Sequence, residues 1–315
     1  MKALVFDGEA ARVVDHPEPT ADSQTALVKV RMAGVCRTDL ELVKGYMGFR
    51  GVLGHEMVGW VVDGPPQWLA ARVVAEINFA CGACALCQRG LGRHCPTRRV
   101  MGILGADGAF AELVAVPVAN LHRVPDSVPD ELAVFTEPLA AAFEILDQVH
   151  VEPGTDCVVL GDGKLGLLIA QVLDGAGARV VAVGKHERKL AILRELGIQA
   201  VRSDQWKPEP ADLVVEATGS PRGFAAAMQV VRPRGTLVLK STTALGADVN
   251  LAPLVINEIN VVGSRCGRFP PALRALARGD VQVRPLITAR FPLSRADQAL
   301  LAAGQPGALK ILIEA

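Results

Sequence analysis

The sequence has no surplus of charge of either sign: 33 lysines and arginines stand against 33 aspartates and glutamates. A chain so balanced offers no broad positive field to gather nucleic acid or an anionic membrane, so the expected partner is a small molecule. Long apolar runs are missing too. No stretch reaches the roughly 18 uninterrupted apolar residues that a membrane-spanning helix requires. The opening MKALVFDGEA meets Asp7 too early for a secretory signal. The expected location is therefore the cytoplasm. Lysine is scarce, 9 against 24 arginines, which bears on base composition or heat adaptation and not on activity. There is no internal repeat or low-complexity tract, and half of the residues are apolar, so disorder is not expected. A chain of 315 residues exceeds one small core and suits two domains. Cysteine is infrequent. Seven is an odd number, and in a reducing compartment it argues against a disulfide framework.

Four of those seven thiols are concentrated in CGACALCQRGLGRHC, residues 81 to 95. The spacing C-x2-C-x2-C-x7-C brings Cys81, Cys84, Cys87 and Cys95 into one loop, where four thiolates can surround a zinc ion at about 2.3 Å each. An iron–sulfur cluster is the rival, since Cys95-Pro96 resembles the end of a ferredoxin run, although that run spaces its last cysteine more closely. A zinc with four protein ligands has no open position and is structural. The chemistry needs a different site.

Upstream stand GVCRTDLE, with Cys36, Thr38 and Asp39, and GHEMVG, with His55 and Glu56. Alone, Cys36 reads as a small buried hydrophobe and His55 as a satisfied core or surface residue. Together they end two apolar stretches flanked by Gly34, Gly54 and Gly59, where a strand hands over to a loop that can carry a site. A third ligand is either Glu56 or Glu137, the latter entering an apolar helix beside Pro138. A sulfur, nitrogen and oxygen set with one position left over is the catalytic pattern for zinc.

In the middle of the chain, CVVLGDGKLGLLIAQVLDGAGARVVAVGKHERKL presents a strand, Gly161-x-Gly163-x-x-Gly166, a helix and a second strand. In that context the glycines let the backbone approach a pyrophosphate, while the helix start at Lys164 and Leu165 offers N–H donors and positive dipole. Further apolar runs after residue 200 and at 212–219, 235–242 and 259–265 alternate with helical segments such as PRGFAAAMQVVRP. This predicts six strands in a doubly wound parallel sheet, an α/β fold. Thr218 and Arg265, at the ends of two of these runs, are expected to contact the coenzyme. The region before residue 140 has short apolar runs broken by Gly, Pro and Asp and reads as a mainly antiparallel β domain. The terminal LKILIEA reads as a strand returning to it. The expected domains are 1–138 with 267–315, and 139–266 inserted between them.

An NAD-preferring enzyme usually ends its second strand with an acidic residue that holds the ribose 2′-hydroxyl. Here that place reads Gly184-Lys185-His186-Glu187-Arg188. Gly184 leaves room and Lys185, His186 and Arg188 offer positive charge, which favours NADP over NAD. The bland alternative is a solvated helix start, with Glu187 swinging back to serve NAD.

The motifs GVCRTD, GHEMVG, the four-cysteine lobe, EPLA and GDGKLG occur in the order seen in the medium-chain zinc-dependent alcohol and polyol dehydrogenases. The chain resembles that family, and its sorbitol, glucose and threonine dehydrogenase branch, over nearly all its length. The resemblance implies a GroES-like catalytic domain, a Rossmann domain, a catalytic zinc in the cleft and a structural zinc in a lobe. It implies Cys36 and His55 as zinc ligands, Glu137 as the third ligand and Glu56 as a carboxylate able to exchange onto the metal. Thr38 matches the hydroxyl that hydrogen-bonds the reacting alcohol, Asp39 the partner that orients the histidine, and Arg37 a position touching coenzyme phosphates. Hydride would pass between the alcohol carbon and the nicotinamide. Glu41 stands where many members place a histidine that carries the proton onward. A homodimer or homotetramer is implied as well. The alternative function is a silent family member that binds NAD(P)H as a regulatory zinc protein. The sequence offers no account of Lys240. Tyr46, Met47, Phe49 and Trp60 are candidate pocket walls or ordinary core, and Cys157 and Cys266 read as buried small residues.

Overall fold

The computed structural model describes residues 1–242 and 250–315. The chain divides into two compact units, one of Met1–Glu137, Phe269–Gly279 and Val283–Ala315, the other of Pro138–Arg268 and Asp280–Gln282.

The spine of the first unit is the strand Thr25–Gly34, TALVKVRMAG. Its alternation explains its state: Ala26, Val28, Val30 and Met32 are buried, whereas Lys29 and Arg31 face solvent. It belongs to a sheet with the order Leu121–Arg123, Arg72–Ala75, Glu56–Asp63, Thr25–Gly34, Lys310–Glu314, Ile287–Pro292, and Leu113–Pro117 also pairs with it. All pairings are antiparallel except that between the last two strands. The expected antiparallel domain is therefore present, and LKILIEA supplies its strand Lys310–Glu314. Two small sheets complete the unit, one of them Asn78–Phe79, Arg99–Met101 and Gly105–Ala106 beside the cysteine loop.

Among the described residues, the second unit is built on a parallel sheet of six strands. Their spatial order is Gln199–Arg202, Arg179–Gly184, Asp156–Leu160, Ala211–Glu216, Val231–Leu239, Asn260–Gly263, which in chain order is 3-2-1-4-5-6. That is the doubly wound dinucleotide-binding topology. Such strands, covered on both faces, read as continuous apolar runs, as in Asp156–Leu160, DCVVL. The helix Lys164–Gly175 buries Leu167, Leu168, Ile169 and Leu173 completely. Each such side chain contributes roughly 1.5–3 kcal/mol. One helical expectation ends early. PRGFAAAMQVVRP is helical only over Pro221–Met228, and Val231 already pairs with Ala211 in the sheet. Stiff β-branched valines favour the strand, and Pro233, which has no N–H, stops the helix and lies where the strand register shifts.

Candidate functional site: a thiol, imidazole and carboxylate cluster and a glycine-rich turn

The antiparallel register pairs Gly34 with Glu56. The end of one strand thus lies opposite the start of the next, which brings Cys36, just past Gly34, against His55 and Glu56. Cys36 also sits at the N-cap of the helix Arg37–Leu42, and its backbone N–H donates to Asp39 Oδ2 at 2.7 Å. One ligand atom each from Cys36, His55 and Glu56 lie within 4.8 Å of one another. His55 and Glu56 are buried, as is Asp39. Asp39 Oδ1 stands 3.2 Å from His55 Nδ1, a contact between charges that is poorly aligned as a hydrogen bond. Burial alone would lower the imidazole's pKa, but the negative charges of Asp39 and Cys36 outweigh it and hold it well above the usual value.

Glu56 uses Oε2 in an ion pair with Lys310, which is itself fully buried. Among the described residues its other oxygen, Oε1, has no hydrogen-bond partner, and His55 Nδ1 and Asp39 Oδ1 have only their charge contact with each other. Buried polar atoms left unpaired cost free energy, and three converging donors of different chemistry suit a zinc ion that keeps an open position. The cluster therefore fits the implied metal. Of the two carboxylates named from the sequence, Glu56 is the one inside this group, while Glu137 lies in the first turn of the helix Thr136–Gln148. Thr38 Oγ1 is 3.8 Å from Cys36 Sγ. Arg37 and Glu41 form an ion pair with each other at 2.9 Å, and Glu41 also meets Lys44 at 3.3 Å.

The second cluster is the cysteine loop. Sγ separations are 3.5 Å for Cys84–Cys87 and 3.9 Å for both Cys81–Cys87 and Cys84–Cys95. These are far too long for disulfides. Four sulfurs about 2.3 Å from one tetrahedral ion stand about 3.8 Å apart. The loop therefore fits a single ion and is too tight for the several irons of a cluster. The N–H of Cys81 and the Thr97 hydroxyl pull the Cys95 thiol down to about 6. Desolvation pushes Cys87 up to about 12, reinforced by its hydrogen bond with Cys84.

The glycine-rich turn follows Asp156–Leu160. Gly161 has φ +121°, and a Cβ there would lie 2.4 Å from the Ala217 carbonyl; one on Gly166 would lie 2.0 Å from the Gly161 carbonyl. Only glycine permits this approach of strand, turn and helix. Gly163 is the N-cap of the helix Lys164–Gly175. Lys185, His186 and Arg188 are exposed after the strand Arg179–Gly184, and Glu187 pairs with Arg194. Thr218 donates from its backbone N–H to Glu216 Oε1 at 2.8 Å and from its hydroxyl at 2.5 Å. Lys240, unaccounted for from the sequence, is a clasp. Its ammonium donates to the Ala141 carbonyl at 2.7 Å, the Ser264 hydroxyl at 3.0 Å and the Arg265 carbonyl at 2.9 Å.

Sequence reasoning missed Lys310 at the Glu56 carboxylate; its signal was a lone cation opening an apolar strand. Lys240, left without an account from the sequence, lies at the end of a strand. Of the suggested pocket walls, Phe49 is core, whereas Met47 and Trp60 are exposed. Cys157 is buried, and desolvation pushes its thiol up to about 12, as expected of an inert packing residue.

A set of metal-ligand side chains on an antiparallel domain and a dinucleotide-type turn on a doubly wound sheet are the equipment of a metal-assisted dehydrogenase. Residues 22–126 match the family described as Alcohol dehydrogenase GroES-like domain, and residues 165–278 that described as Zinc-binding dehydrogenase. D-arabinitol dehydrogenase 1 of Uromyces fabae is 31% identical over 96% of this chain and 93% of its own. A short chain alcohol dehydrogenase from Escherichia coli CFT073, solved with NADH, superposes with a TM-score of 0.93 at 25% identity, covering 100% of this chain and 99% of its own. A protein of Sinorhizobium meliloti 1021 solved with NADP gives 0.89 at 27% identity, with the same coverage. The chain belongs to the zinc-dependent medium-chain alcohol and polyol dehydrogenases.

Proposed function

We propose that the protein oxidises a secondary hydroxyl of a polyol, sugar or related alcohol, and reduces the corresponding carbonyl, using a nicotinamide dinucleotide. The observation that carries this reading is the convergence of Cys36, His55 and Glu56, with the unpaired Glu56 Oε1 among them and the Thr38 hydroxyl beside Cys36. When bound, a zinc at these residues supplies a Lewis acid that eases deprotonation of an alcohol. The coenzyme supplies the hydride chemistry. Thr38 holds the substrate hydroxyl and passes its proton on. Asp39 fixes the His55 ring through Nδ1, leaving Nε2 for the metal. Lys310 neutralises Glu56 and holds one of its oxygens, so that Oε1 is the atom available to a cation. Cys81, Cys84, Cys87 and Cys95 would hold a second, structural zinc.

The polyol class draws on the arabinitol-oxidising relative. Supporting a homo-oligomer, the sheet ends in the edge strand Asn260–Gly263, and Val255 and Ile256 nearby are each 77% exposed. A cytoplasmic setting accords with the absence, among the described residues, of any helix long and apolar enough to cross a membrane. The test is elemental zinc per chain combined with reduced-coenzyme formation on a panel of polyols, sugars and secondary alcohols. Two zincs and turnover are expected; two zincs and coenzyme binding without turnover would instead favour a silent regulatory protein.

A further inference from the structure

Selection between NAD and NADP depends on what lies around the ribose at the end of the second strand. That strand, Arg179–Gly184, ends without a side chain, but the space is not empty. A Cβ on Gly184 would stand 2.4 Å from Asp162 Cβ and 2.6 Å from its Oδ2. Positions 162 and 184 are thus mutually exclusive: a carboxylate comes either from the glycine turn or from the strand end, and this chain takes it from the turn. Asp162 Oδ2 accepts from the backbone N–H of Lys185 at 2.7 Å and of His186 at 2.6 Å, and faces His186 Nδ1 at 2.9 Å. Those N–H groups and that imidazole are donors a 2′-phosphate would need. Asp162 Oδ1 accepts no hydrogen bond among the described residues.

We propose that Asp162 selects the coenzyme: its Oδ1 reads the ribose 2′-hydroxyl in place of the carboxylate missing at position 184, so that the protein prefers NAD to NADP. This rests on the dinucleotide reading above and reverses the preference expected from Gly184, Lys185, His186 and Arg188. Burial pushes the Asp162 carboxyl up, but the His186 and Lys185 donors outweigh it and hold it below its usual range. It is therefore an anion at neutral pH, in the place where a phosphate would bring two further negative charges. Nearby cations are largely committed, Arg194 to Glu187 and Arg202 to Asp204, leaving Lys185 and Arg188 at the exposed rim.

The experiment is calorimetric titration of the zinc-loaded protein with NAD and NADP, without substrate, for the wild type, D162N, D162G, G184D and the pair D162G/G184D. Wild type is expected to bind NAD more tightly. D162G, which frees the N–H groups of Lys185 and His186, and the near-isosteric D162N should each move the NAD-to-NADP affinity ratio toward NADP by roughly 10- to 100-fold, the range for a hydrogen bond to a charged group. G184D alone should weaken both coenzymes, because its Cβ collides with Asp162, and the pair should restore NAD. Tighter NADP binding by the wild type, or a ratio unchanged in both D162G and D162N, overturns the inference. Binding of neither coenzyme overturns the dinucleotide reading and this inference with it. NAD binding with the predicted shifts but no alcohol oxidised sustains the inference while refuting the dehydrogenase assignment.

Discussion

The ammonium of Lys310 and the carboxylate of Glu56 form an ion pair in which both side chains are 0% exposed. The pair fills space that another residue gives up: a Cβ on Gly34 would lie 2.5 Å from Glu56 Oε2 and 3.2 Å from Lys310 Cδ. Phe135 adds its ring, 5.3 Å from the ammonium. Taking two ions out of water is costly, and the pair holds only because each satisfies the other. Removing one partner is therefore worse than removing both.

Lys310→Met should destabilise the protein by about 3–5 kcal/mol by leaving Glu56 buried without its counter-ion. Lys310→Met combined with Glu56→Gln should recover most of that stability while losing alcohol oxidation. Chemical denaturation of the two single variants and the pair measures the coupling. Additive costs would show that Lys310 does not serve Glu56.

Glu76 offers a pH test away from the metals. Its carboxylate meets His122 Nε2 at 3.2 Å and accepts from the Phe269 N–H at 3.3 Å. Burial pushes its pKa up, but these partners outweigh it and leave the carboxyl below its usual range. A depressed folded pKa gives stability that is present above the unfolded value and lost as pH falls through the folded one. Glu76→Gln should therefore cost roughly 1–2 kcal/mol at pH 7, a cost that disappears as acid protonates the wild-type carboxylate below the usual carboxylate range. Melting temperatures of both proteins from neutral pH down through that range decide it; a constant difference would exclude a charge-based role.

Patterns local in sequence were legible. The alternation in TALVKVRMAG, the apolar strands around GDGKLG and the cysteine spacing each encode their structure over a short span. Contacts between distant segments were not. Lys310 meets Glu56 across 254 positions, and nothing in either neighbourhood names the other. Asp162 and Gly184 show the same limit at shorter range. A missing side chain at 184 reads as open space until the turn is seen to fill it. Glu41, expected from the resemblance to carry a proton, pairs in the fold with Arg37 and Lys44, its own neighbours on the chain.

The cysteine loop should lose its metal independently of the other cluster. Cys95 is buried, receives the Cys81 N–H at 3.5 Å and lies 3.9 Å from Cys84 Sγ. Cys95→Ala removes one of four ligands from a site whose binding free energy contributes to folding. Zinc should fall by one per chain, with a lower melting temperature and faster proteolysis near residues 81–95. Unchanged zinc content would mean the loop holds no ion.

Thr38 tests the chemistry itself. Its hydroxyl lies 3.8 Å from Cys36 Sγ, on a helix fixed by the Asp39 carboxylate at the Cys36 N–H. A hydroxyl that hands on a proton contributes typically 10²- to 10⁴-fold to rate. Thr38→Val, nearly the same shape without the oxygen, should lower kcat by about that range. Zinc content and coenzyme affinity should stay as in the wild type. Thr38→Ser restores the oxygen and should recover most of the activity, because the role belongs to the hydroxyl and not to the methyl group. Equal losses in Val and Ser would assign Thr38 to packing, and the proton would then need another route out of the site.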